Sequence, residues 1–193
     1  MTQWAPDAYG PVCAALLNVP DHSASGPGSP AESLRPALEK LDPRSLAGDR
    51  PLVDREMAAC CISGLWLRHG FLSESHTISQ GIPTQSGSYW HGIMHRREPD
   101  YENAKYWFRR VGNHPVFPQL HTLARQTAIA QPALDRLAYL RSTDVWNPYA
   151  FIDACHAVAG RSGPDESACR LIAESEWQLL FDYCFQHAVG EIA

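Results

Sequence analysis

The chain has 193 residues, 45% hydrophobic and 19% charged, with a formal net charge of -5. This length buries the core of one domain, and the composition excludes a disordered polymer. The acidic balance excludes a general nucleic-acid binder, which needs a basic surface to meet phosphates.

The six cysteines are Cys13, Cys60, Cys61, Cys155, Cys169 and Cys184, and none forms a Cys-x-x-Cys pair. They read as small buried thiols, which excludes a zinc-finger or disulfide framework. The start of the chain lacks a basic-then-apolar signal. Its most apolar run, Met57 to Leu67, is too short to span a bilayer. The expectation is a soluble, cytoplasmic protein with no membrane partner.

Residues 1–51 hold eight of the fifteen prolines. Proline removes a backbone donor and disfavours helix in the residue before it, so long elements are excluded there. The run Asp21 to Gly28 predicts a mobile loop. After it, Ser29 and Glu32 suit a capping box, with Pro30 at the first helical position and Leu34, Leu38 and Leu41 following. Residues 1–51 thus read as a Pro-rich N-terminal arm with one short helix, and 52–193 as a single all-α domain.

Asp54 is a good N-cap for a long helix from Arg55 to about Ser79, with a break near Gly70. One stripe of it carries Ala58, Cys61, Ile62, Leu65, His69, Leu72, His76 and Ser79. Ser86 or Ser88 caps the next helix, over Tyr89 to Arg97. Pro99 ends it, and Asp100 caps a helix from Tyr101 to Val111. Further helices are predicted over Gln119 to Ile129, Pro132 to Leu140, Asn147 to Ala159 and Pro164 to Val189. Alternating strand patterns are absent, and the whole reads as an irregular bundle of about seven helices in stacked antiparallel hairpins.

The densest chemistry lies between Ser86 and Arg110. At about 100° per residue, Tyr89, Trp90, Ile93 and Met94 share the packing side with Arg97, while His91, His95 and Glu98 cluster beside it. Imidazoles four residues apart converge on one metal ion, with Glu98 as third ligand or base. His76 is the first candidate to complete the site from another helix and His69 the next; Asp100 and His114 are weaker. Zinc, iron or manganese fits such N and O donors. Position 92 is glycine, not the glutamate of the metalloprotease motif, and the ferritin-like Glu-x-x-His pairing is absent.

A metal-free alternative uses His91 or His95 as general acid or base, oriented by Glu98. Arg96, Arg97, Lys105 and Arg109 then hold an anionic small molecule, walled by Tyr89, Trp90, Tyr106 and Trp107. The helical stripe, however, assigns Trp107 and Phe108 to the core.

Gly92, Ala104, Phe108 and Pro115, with the turn Asp100-Tyr101-Glu102-Asn103-Ala104, resemble one tetratricopeptide-type hairpin over Ser86 to Val116. That resemblance implies close antiparallel packing and, in an array, a peptide-binding groove. His95 stands where that family favours an aromatic, Pro115 is one residue off register, and no second copy follows at the period of about 34 residues. The leading expectation is therefore a small enzyme with a His-rich, metal-binding pocket for an anionic small molecule. The alternative is a non-catalytic helical-hairpin interaction module, or a protein whose histidines only satisfy the core.

Overall fold

The computed structural model describes residues 4–19 and 26–190. Among them are ten α-helices and no strand: α1 (Gly10–Leu17), α2 (Arg35–Leu38), α3 (Pro43–Ala47), α4 (Arg55–Arg68), α5 (Leu72–Gln80), α6 (Gln85–Arg97), α7 (Tyr101–Val111), α8 (Phe117–Ala130), α9 (Pro148–Val158) and α10 (Pro164–Val189). The all-α class holds, with more helices than the sequence pattern predicts. None of these helices is long and apolar enough to cross a membrane.

Two differences raise the helix count. The N-terminal residues hold three short helices, each with proline in its first turn: Pro11, Pro36 and Pro43. Proline there loses no hydrogen bond that the helix would make, so it starts helices as well as stopping them. The Ser29 and Glu32 capping box does not form; Glu32 binds Arg35 instead, and the capping box sits on α3 between Asp42 and Ser45. The expected loop Asp21 to Gly28 falls largely outside the described residues.

The helix expected from Arg55 to Ser79 divides into α4 and α5 around Gly70, whose φ is +80°. A Cβ on Gly70 would stand 2.7 Å from the Ser29 carbonyl oxygen. In the other direction, Pro132 to Leu140 is not an α-helix; only a 3-10 turn at Ala138–Arg141 is regular. Arg141 explains this locally, because its guanidinium donates to the carbonyls of Ala128, Gln131, Pro132 and Leu134. Those acceptors are satisfied without a helical ladder.

Helix α10 is the apolar spine. Trp177, Phe181 and Phe185 stack at four-residue spacing, with ring centroids 5.0 and 6.3 Å apart. Tyr9 packs edge-on against Phe181 and Phe185, and its hydroxyl donates to Asp182 at 2.9 Å. Tyr9, Cys13, Leu16, Leu17, Leu38 and Leu46 join the same buried core as α4, α6 and α10.

Helix α6 lies between α5 and α7 and also packs on α4. It starts at Gln85 under a Thr84 cap, whose hydroxyl accepts from the Gly87 amide, so Ser86 and Ser88 are inside the helix rather than capping it. Close approach to α7 depends on Gly92, where a Cβ would come within 2.8 Å of the Phe108 ring. Helices α6 and α7 pack closely against each other.

Gly70→Ala should test the α4–α5 joint. The left-handed backbone and the Ser29 clash together predict a loss of about 2–3 kcal/mol by denaturant unfolding. A change below about 0.5 kcal/mol, the scale of an ordinary surface substitution, would contradict this account of the joint.

Candidate metal centre

All twelve residues from Ser86 to Arg97 are buried, including both histidines and both arginines. Burying a polar group without a partner costs about 1–3 kcal/mol, so the neighbours of α6 are chosen by its polar side chains. Three of those neighbourhoods involve His91 and His95.

The first is α5. His76 packs at a tilt on His91 with centroids 4.5 Å apart and meets His95 edge-on at 5.4 Å. His76, His91 and His95 offer one ligand atom each, all within 4.8 Å of one another. The predicted trio is thus brought together, two donors on one face of α6 and the third from α5. The second neighbour is α7, where Trp107 packs on the His91 ring at 4.0 Å and Asn103 Nδ2 lies 3.1 Å from His95 Nε2. The third is the turn after α6: Glu98 Oε2 is 3.2 Å from His95 Nδ1, and Asp100 Oδ2 is 4.0 Å away.

These partners favour one tautomer of each ring. Ser79 Oγ lies 2.8 Å from the Ser75 carbonyl and 2.9 Å from His91 Nδ1, and with its proton on that carbonyl it receives the Nδ1–H of His91. His91 Nε2 then carries a lone pair. Glu98 accepts the Nδ1–H of His95, and the Asn103 amide points at His95 Nε2, which is likewise a lone pair. The two Nε2 atoms face each other 3.0 Å apart. Two facing lone pairs repel unless a cation lies between or beside them. Ring N–H groups held by a hydroxyl and a carboxylate, with the other nitrogens converging, are the outer-shell arrangement of imidazole metal ligands.

Electrostatics agree. Burial, then the neighbouring His95 and His76, push the His91 pKa down to about 3. Burial also holds His95 below the ordinary imidazole range, against the upward pull of Glu98 and with His76 adding to the lowering. Neutral imidazole is the form that binds metal.

The other expected site residues lie elsewhere. Tyr89 and Arg96 both bind Glu176 of α10, which is fully buried: the Tyr89 hydroxyl donates to Oε1 at 2.9 Å, and Arg96 ion-pairs with Oε2. Arg97 donates to the carbonyls of Leu67 and Gly26. Lys105 pairs with Asp153 at 2.7 Å and Glu102 at 3.3 Å. Each of these four side chains thus has a partner elsewhere in the fold. Phe108 is core as expected, whereas Trp107 is half-buried and walls the site. Trp90 is buried against Trp177, and Tyr106 is exposed. His69 ends α4 in the interior, outside the trio.

His114 is also outside it. Its Nδ1 accepts from the Val116 amide, so its Nε2–H donates to Ser86 at 3.1 Å. A serine that receives this proton is not activated by it, which excludes a Ser86–His114 nucleophilic pair. Sequence reasoning missed Ser79 as a partner, Asn103 and Glu176. Ser79 does share the apolar stripe of His76, a usable signal; Glu176 lies 80 residues from Arg96 and has none.

Burial, then His187, lowers the His114 pKa to about 4. Tyr89 and Tyr183 face its ring. An unfolded imidazole titrates near 6.5. Between these values the unfolded chain binds the extra proton, so the His114 contribution is complete above pH 6.5 and lost as pH falls toward 4. Its size is about 3 kcal/mol. Denaturant unfolding from pH 7 to 4.5 should therefore fall less steeply for His114→Gln than for the native chain. Equal slopes would contradict the neutral, buried His114.

Comparison of the chain with protein-family models, curated proteins and solved structures finds no match.

Proposed function

We propose that the chain is a metal-dependent enzyme of hydrolytic type, with one divalent first-row ion held by His76, His91 and His95. The observation that carries this is the approach of the two Nε2 atoms to 3.0 Å, with a third imidazole donor within 4.8 Å of them. Two nitrogens bound to one ion at about 2.1 Å, with bond angles of about 90–110°, lie about 3.0–3.4 Å apart. A chance hydrogen bond between imidazoles needs a proton on one Nε2, and the partners of both rings oppose it.

Three imidazoles leave at least one position for water, the arrangement of catalytic zinc, so zinc ranks before iron and manganese. Glu98 and Asp100 are outer-shell groups: Glu98 holds the His95 ring, and both side chains are about half exposed beside it. This assigns Glu98 to orienting His95 and accepting a proton rather than to ligation. A zinc-bound water has its pKa lowered to about 7, which supplies hydroxide at neutral pH. In hydrolysis that oxygen bonds to the electrophilic centre while the leaving group departs with a proton. Asn103, whose amide nitrogen lies 3.1 Å from His95 Nε2, would on rotation of its amide offer Oδ1 to such a water.

Elemental analysis and calorimetric titration of metal-stripped protein with Zn2+ test the reading. The native chain should bind one ion, the His91→Ala/His95→Ala variant none, and Glu98→Gln should weaken binding about 10–100-fold. A folded native chain that takes up no zinc, iron or manganese would overturn the proposal.

A further inference from the structure

With Arg96, Arg97 and Lys105 engaged by the fold, the remaining cations of α6 and α7 are Arg109 and Arg110, in the last turn of α7. Both are exposed. Among the described residues neither is ion-paired: Arg110 lies over the Trp107 ring at 5.0 Å and Arg109 over Tyr106 at 5.6 Å. Trp107 is the same ring that packs on His91 at 4.0 Å. One indole thus joins the exposed guanidinium to a ligand of the proposed ion.

We infer that the substrate is a small molecule bearing an oxyanion, a carboxylate or phosphate, which Arg110 binds against Trp107 while the reacting group meets the ion. The inference rests on the metal reading. Stacking uses the flat face of a guanidinium and leaves its N–H donors free in the plane, where they take an oxyanion in bidentate fashion. Holding the cation on a ring also removes rotamer freedom before binding, so less is lost on association.

The charges around the trio have a direction. Trp107, which carries Arg110, packs on His91, while Glu98 and Asp100 lie against His95. An anionic group is attracted to Arg110 and repelled from the carboxylates. The oxyanion therefore docks beside Trp107, and the carboxylates are left to accept the proton released by the metal-bound water. In a chain of net charge -5, this local cationic patch also sets where anions arrive.

The test uses the full chain loaded with Co2+, whose visible spectrum reports its ligands, titrated with inorganic phosphate and separately with oxalate. The native protein should show a saturable spectral change with at least one of the two, and the stronger names the oxyanion. Arg110→Ala should bind Co2+ unchanged and weaken the anion by about tenfold or more. Arg110→Lys should restore only part, because it keeps the charge without the fork. Equal anion affinity in Arg110→Ala, or a Co2+ form that responds to neither probe, would overturn this inference and leave the metal reading standing. Failure of the native chain to bind Co2+ would overturn both.

Discussion

The structure depends on the burial of helix α6, whose sequence is too polar to be buried without dedicated partners. Twelve consecutive residues, Tyr89, both histidines and both arginines among them, are removed from water. Ionised or hydrogen-bonding groups survive such removal only when paired, and breaking a buried ion pair costs about 3–5 kcal/mol. Helix α10 supplies Glu176 to Tyr89 and Arg96, and the end of α4 supplies the Leu67 carbonyl to Arg97. Helix α5 supplies Ser79 to His91. The exceptions on α6 are Trp90 Nε1 and Arg96 Nη1, and the Arg96 guanidinium lies over the Phe151 ring. The positions of these three elements are therefore tied to the polar side chains of one helix.

The same constraint creates the candidate site. Ser79 and Glu98 favour the two ring protons on Nδ1, and the two Nε2 atoms face each other 3.0 Å apart. Burial favours the neutral forms of His91 and His95, and repulsion between charged imidazoles adds to it. A packing requirement and a ligand arrangement are here one set of hydrogen bonds. The surroundings of the two α6 histidines then differ in sign, with Arg110 on the Trp107 ring that packs on His91 and two carboxylates against His95.

Much of this was legible in the sequence because it is periodic. The four-residue spacing of His91 and His95 puts them on one face, and His76 falls on an inward stripe of the preceding helix. Gly70, Asp54, Asp100 and Asn147 mark boundaries by local backbone chemistry, and the structure keeps each one. What was not legible depends on distant partners. Arg96 and Arg97 look like substrate anchors on a helical wheel, yet Glu176 and Leu67 come from elements that no local pattern links to them. The last turn of α7 was assigned by stripe, which put Trp107 in the core; the stripe does not say that its indole ends on an imidazole. Prolines of the first fifty residues were weighed as breakers, when their place in first turns makes three of them starters.

Tautomer-resolved nitrogen NMR of the metal-free protein at neutral pH tests the central claim most directly. The account predicts His91 and His95 neutral, protonated at Nδ1, with Nε2 unprotonated and shifting on addition of Zn2+. A proton found on Nε2 of His91, or Nε2 signals indifferent to zinc, would contradict it.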